Sequence, residues 1–273
     1  MTHSLSYDVN ASILFTELPV LQRPAAVKQA GFDAVEFWWP FAQSVPRDSE
    51  VDRFVGAVSD AGLELVGLNF AAGDLSAGER GLVSWPARSQ EFLDSVDIAI
   101  GIAEQLGCRS LNALYGNRID GVDADEQDDL AVGNLALAAR VAAKVDATVL
   151  VEPISGPGGY PLRTASDALA VIDRVREEAG VDNLALLADL YHMGVNGDDV
   201  YGVINTHASR IGHVQIADAP GRHEPGSGDL PLELQLQALE RAGYSGWVGL
   251  EYKPLTTTLE GLEWLRHDRR SRR

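Results

Sequence analysis

The sequence predicts an α/β fold, a single-domain (β/α)₈ TIM barrel, on three observations. Short β-branched or aliphatic runs alternate with amphipathic segments of helical period from one end of the chain to the other. Eight such strand–helix units fit into 273 residues, close to the ~250 this architecture takes. The turn after the first strand reads Asn10-Ala11-Ser12-Ile13, not the Gly-rich phosphate turn that a doubly wound open sheet prefers.

In chain order, candidate strands 5–9, 34–37, 63–68 and 110–113 lead to candidate helices 19–30, 50–61, 88–106 and 126–145. Strands 148–152, 184–188, 211–216 and 247–251 lead to helices 166–179, 198–207, 232–242 and 258–266. Ala30-Gly31, Ala61-Gly62, Leu106-Gly107, Ala179-Gly180 and Ala242-Gly243 are helix stop signals, because glycine tolerates the left-handed conformation just past a last turn. No linker, low-complexity stretch or shift of composition divides the chain, so residues 1–273 are read as one domain. The basic stretch 266–273 is expected to be a disordered, solvated end.

Composition narrows the function. With 22 Lys+Arg against 40 Asp+Glu the formal charge is −18, which opposes binding of a nucleic-acid backbone and requires a local positive patch for any anionic substrate. The single cysteine, Cys108, excludes an internal disulfide and a multi-cysteine zinc site, and is expected to be a small core residue. Residues 1–10 lack the basic and apolar regions of a signal peptide, and no uncharged apolar run approaches the ~20 residues of a membrane span. A cytoplasmic protein with no nucleic-acid or membrane partner is expected, with a homo-oligomer possible.

In a barrel, the C-terminal ends of the strands converge on one face, where catalysis occurs. Those ends read Asn10, Glu36, Asn69, Asn112, Glu152, Asp189, Gln215 and Glu251, each polar after an apolar run. Glu152, Asp189, Gln215 and Glu251 follow one another at intervals of 37, 26 and 36 residues, about one strand–helix unit each, so four oxygen donors face one point. Three carboxylates repel one another in a desolvated site, and a divalent cation relieves this. An all-oxygen set selects a hard ion, Mg²⁺ or Mn²⁺, over zinc. The competing reading of any one strand-end polar residue is a solvated boundary or a helix cap.

Strand alternation puts His213 on the same side as Gln215, one layer deeper, where a packed structural role is favoured. His192 and Arg222 fall in loops on the catalytic side and are candidate substrate contacts, as are Asn69 and Lys253. Arg222 and Lys253 supply positive charge beside an acidic face. Trp38-Trp39-Pro40 is a candidate pocket wall, and the Gly-punctuated stretch from Gly73 to Gly81 a candidate loop over a ligand.

Several pieces carry a resemblance: Asn10-Ala-Ser-Ile-Leu-Phe15, Val35-Glu-Phe37, Ala77-Gly-Glu-Arg-Gly81, Val151-Glu-Pro-Ile154 and Asp189-Leu-Tyr-His-Met193. They continue through Gly212-His-Val-Gln-Ile-Ala-Asp218, Gly221-Arg-His-Glu-Pro-Gly226 and Gly246-Trp-Val-Gly-Leu-Glu-Tyr-Lys-Pro254. Nearly end to end, the chain resembles the hydroxypyruvate isomerase family of the xylose-isomerase-like barrels. The resemblance implies metal ligands at Glu152, Asp189, Gln215 and Glu251, acid/base roles for Glu152 and Glu251, and substrate contacts at His192 and Arg222. Leu68 stands where the family often has His, and Ser155-Gly156 where relatives often carry Asn-His after the isoleucine.

The expected activity is a metal-assisted isomerisation of a small hydroxy-carbonyl acid, hydroxypyruvate to tartronate semialdehyde, through an enediolate. A 2-oxo-tetronate isomerase or a ketose 3-epimerase needs nearly the same site. An inosose-type dehydratase would use the acid/base pair to expel water. Metal-dependent DNA repair endonucleases share the barrel but sit poorly with the acidic charge, and a protein that binds a metal-chelated sugar without turnover completes the alternatives.

Overall fold

A computed structural model of the chain describes residues 3–156 and 158–271. Eight parallel strands, β1 Ser6–Asn10, β2 Ala34–Phe37, β3 Glu64–Asn69, β4 Ser110–Asn112, β5 Thr148–Val151, β6 Leu184–Asp189, β7 Ile211–Ile216 and β8 Trp247–Leu250, pair in sequence order. β8 closes on β1, so the sheet is a barrel without edges. The strands are short and almost wholly buried, as expected where one face fills the barrel and the other meets helices.

Nine helices among the described residues surround it: α1 Arg23–Gln29, α2 Asp48–Asp60, α3 Ser89–Leu106, α4 Ala124–Ala142, α5 Ala165–Ala179, α6 Leu190–Val195, α7 Val200–His207, α8 Leu232–Arg241 and α9 Thr258–Gly261. The five glycines read as stop signals, Gly31, Gly62, Gly107, Gly180 and Gly243, all have positive φ. Between strands and helices lies the continuous core, with Phe37 edge-on to Phe54 and Phe70 to Phe92 at 5.1 and 5.5 Å. Cys108 is buried in it. No helix among the described residues is long and apolar enough to cross a membrane.

Three elements differ from the sequence reading. The segment after β6 holds a six-residue helix, α6, because Asp189 caps it directly at the strand end. The expected last helix stops after one turn, at Gly261. The basic end, expected to be free, is docked as far as residue 270. A 3₁₀ turn covers His267–Arg269, and Arg270 donates to Ala30 O, Leu262 O and Leu265 O while its guanidinium lies over Phe32. Orphan carbonyls at helix ends attract a cation, which composition alone does not disclose. Arg272 and Arg273 lie outside the described residues.

Candidate active site

The C-terminal ends of the strands open into a cavity of about 1000 Å³. Asp189 closes β6, and its Oδ1 accepts from the backbone N–H groups of Tyr191 and His192, the first turn of α6. Capping therefore occupies one oxygen and leaves Oδ2 turned to the cavity floor. Glu152 follows β5, and its Oε2 accepts from Asn112 Nδ2 at 2.8 Å. Glu251 follows β8, and its Oε1 accepts from Asn10 Nδ2 at 3.1 Å and Trp38 Nε1 at 2.6 Å. Oxygens of Glu152, Asp189 and Glu251 and a nitrogen of His192 all lie within 4.8 Å of one another, and all four residues are buried.

Gln215 stands in register beside Asp189. Its Nε2 donates to Glu36 Oε1 at 2.8 Å, which fixes the orientation of the amide, while its buried Oε1 has no hydrogen-bond partner. An orphaned carbonyl oxygen in such a site is a cost unless a ligand meets it. With the carboxylates this makes a set of oxygen donors that suits a hard divalent cation.

His192 is not one of those donors. Its Nδ1 accepts from the backbone N–H of Ser155 at 3.0 Å, so in the neutral ring the proton sits on Nε2. Nε2 is the nitrogen that faces the carboxylates, 3.5 Å from Asp189 Oδ2 and 4.0 Å from Glu152 Oε1. Burial pushes its pKa down to about 4, against the pull of Asp189, and keeps the ring neutral. It is thus an N–H donor aimed into the site.

Burial raises the carboxyls of Glu152 and Glu251. For Glu152 the charges of Glu251 and Asp189 add to it. For Glu251 the nearby Arg222 cation offsets part of the rise and leaves the pKa at about 8. Arg222 Nη2 reaches Glu251 Oε2, and Asp189 Oδ2 at 3.4 Å. Arg222 itself has φ 61°, an uncommon conformation for a side chain of its size, held by Lys253 N–H donating to its carbonyl at 2.7 Å.

Beneath this floor, Asp8, Glu36 and His213 form a second buried group with ligand atoms within 4.8 Å of one another. Glu36 Oε2 is 2.7 Å from His213 Nε2, and Glu36 Oε1 also accepts from Asn10 Nδ2. Space for that carboxylate comes from two glycines: a Cβ at Gly249 would lie 2.6 Å from Glu36 Oε1, and one at Gly67 3.0 Å from Oε2.

A family model for the xylose isomerase-like TIM barrel matches residues 24–267. The chain belongs to the xylose isomerase-like TIM barrel family. It is 54 % identical to a putative hydroxypyruvate isomerase of Streptomyces coelicolor, over 91 % of this chain and 90 % of that one. It is 37 % identical to the hydroxypyruvate isomerase of Escherichia coli, over 96 % of this chain and 98 % of that one. A solved structure described as an AP endonuclease, family 2, from Brucella melitensis superposes with a TM-score of 0.85 at 35 % identity, covering 95 % of this chain and 97 % of that one.

Of the residues singled out in the sequence of this xylose isomerase-like barrel, Glu152, Asp189, His192 and Glu251 come together, and Gln215 adjoins them. Asn69 and Arg222 line the cavity, and so does Lys253, although that residue is exposed. Trp38 is both cavity wall and hydrogen-bond donor to Glu251. The roles of Asn10, Asn112 and Glu36 as partners of the carboxylates were not assigned from the sequence. Their place at strand ends was the available signal. The Ser155–His192 contact had no local sign at all.

Proposed function

We propose that this xylose isomerase-like barrel interconverts hydroxypyruvate and tartronate semialdehyde. The observation that carries the proposal is the pair of buried carboxyls, Glu152 and Glu251, brought from separate strands onto one small space. Two carboxylates on one small space can take a proton from one substrate carbon and return one to its neighbour. The similarity to hydroxypyruvate isomerases of S. coelicolor and E. coli supports the same reaction class.

Glu152, Asp189, Gln215 and Glu251 are the residues that would hold Mg²⁺ or Mn²⁺. Such a cation supplies Lewis acidity and neutralises the charge that an enediolate develops. One of the two glutamates takes a proton from C3 of hydroxypyruvate, and the other delivers a proton to C2. The O3 hydroxyl proton passes to O2 in the same conversion, so reactant and product are isomers. His192 Nε2–H stands ready to donate to a substrate oxygen during that transfer, and Ser155 holds the ring in that tautomer. Trp38 and Asn10 fix Glu251, and Asn112 fixes Glu152, which keeps the basic oxygens from swinging away from the substrate carbon.

The test is an NMR assay in D₂O with Mg²⁺ or Mn²⁺, run on hydroxypyruvate, 2-oxo-tetronates and neutral ketoses. Deuterium should enter a carbon position of hydroxypyruvate with no loss of water. Glu152→Gln and Glu251→Gln should each cut turnover by ~10²-fold or more while the fold persists. Near-normal turnover in both variants would remove the glutamates from proton transfer. A product lighter by one water would make the enzyme a dehydratase.

A further inference from the structure

Four cations line the cavity: Arg80, Arg88, Arg222 and Lys253. Two of them are already matched by carboxylates. Arg222 faces Glu251 and Asp189, and Arg88 grips Glu79 and Glu91 at 2.6 and 2.7 Å. Lys253 is exposed, on a flexible stem. Arg80 is different: it is half-buried and makes no salt bridge with any described residue. Its Nη1 donates to two backbone carbonyls, Leu75 O at 2.9 Å and Glu79 O at 2.6 Å. That leaves the rest of a planar fork, Nη2 and Nε, without a hydrogen-bond partner among the described residues.

The loop that carries Arg80 is built to hold it still. Asp74 caps the turn that follows, accepting from the N–H groups of Ser76 and Ala77. Glu79 ties Arg88 to the same loop. Gly81, immediately after Arg80, has φ 111°, and a Cβ there would lie 1.9 Å from Leu114 O, so the chain passes directly against the neighbouring segment. Arg80 lines the same cavity as Glu152, His192 and Glu251, so the arginine and the glutamates face one space.

We propose that Arg80, rather than the candidate substrate contact Arg222, is the specificity-determining residue that anchors the substrate carboxylate. This rests on the isomerase reading for the substrate it names. The physical ground is independent of it: a guanidinium with its charge unmatched and two nitrogens free takes a carboxylate by paired charge-assisted hydrogen bonds. Arg222 commits Nη2 to Glu251 and Asp189 in the floor, so its charge is matched there even though its buried Nε has no hydrogen-bond partner. Arg80 would therefore distinguish α-hydroxy and α-oxo acids from neutral ketoses of the same length.

The experiment measures binding of glycerate, hydroxypyruvate and neutral dihydroxyacetone to the full chain with Mn²⁺ by calorimetry, beside turnover of hydroxypyruvate. Wild type, Arg80→Gln and Arg80→Lys are compared, with circular dichroism to verify folding. Arg80→Gln should raise Kd for both acids by about 10- to 100-fold and leave dihydroxyacetone within a factor of about 2. Arg80→Lys should recover part of the loss, since it keeps the charge but not the fork. Equal effects on acids and on dihydroxyacetone, or no effect on either, overturn the anchor, as does a wild type that binds no acid. Arg80-dependent binding of acids without turnover of hydroxypyruvate would leave the anchor standing and refute the proposed reaction. Normal turnover with unchanged KM in Arg80→Gln would do the reverse.

Discussion

Glu36 has only acceptors to offer, and three donors converge on it: Asn10 Nδ2, Gln215 Nε2 and the His213 ring. Through Gln215 it decides which amide atom faces the site, and through Asn10 it is linked to Glu251. Glu36→Gln keeps the size but sets an NH₂ group against donors. Leaving buried groups unmatched costs about 1–3 kcal/mol. The variant should therefore unfold at lower urea, and Mn²⁺ affinity measured by calorimetry should fall with it. Unchanged Mn²⁺ affinity in a destabilised Glu36→Gln would confine Glu36 to a packing role. Strand-end polarity made Glu36 visible in the sequence, but not its function. That depends on β7 and β8 lying beside each other and on the absence of side chains at Gly67 and Gly249, and both facts are distant from Glu36 along the chain.

The long helices that follow a strand begin on the catalytic side of the barrel and end on the opposite side, so caps at the two ends have different consequences. Asp189 shows the first kind. One oxygen starts α6 and the other faces the site, so capping the helix leaves an oxygen free for the proposed cation. The sequence could not show this, because a six-residue helix has too few turns for its period to register. Gly107 shows the second kind. It ends α3 at φ 71°, with its N–H donating to Ala103 O and open space where a Cβ would go. Gly107→Ala should destabilise the barrel by about 1 kcal/mol through backbone strain alone. kcat and metal affinity should be unchanged, because the site lies at the other end of the strands. A change in kcat for that variant, at temperatures well below unfolding, would show that the two ends of the barrel are coupled. Strand and helix order were legible because the strand–helix alternation repeats eight times and a glycine stop five times. The docked basic end was not, since it depends on Arg270 meeting the carbonyls of Ala30, Leu262 and Leu265, one of them remote along the chain.

At the scale of the whole molecule, two electrostatic loads are superposed. The chain carries a net charge of −18, spread over its surface, and it also concentrates Glu152, Asp189 and Glu251 in a buried space beside one arginine. Salt relieves the first load by screening, whatever its ions. Only a cation that enters the site relieves the second. The two are separable by heating the protein in NaCl and in MnCl₂ of equal ionic strength. NaCl should raise Tm modestly. MnCl₂ at about 100 times its dissociation constant should add ~2.7 kcal/mol, because a ligand that binds only the folded state stabilises it by mass action. For a domain of this size that is an increment of roughly 5–10 °C. Asp189→Ala should keep the NaCl response and lose the Mn²⁺ increment, since the change removes one donor from the site and barely alters the total charge. An equal Tm in the two salts would mean that the carboxylates are balanced within the protein, by Arg222 and by protons on Glu152 and Glu251. A Mn²⁺ increment that survives in Asp189→Ala would place the cation elsewhere, with the Asp8, Glu36 and His213 group beneath the floor as the other buried cluster among the described residues able to take it.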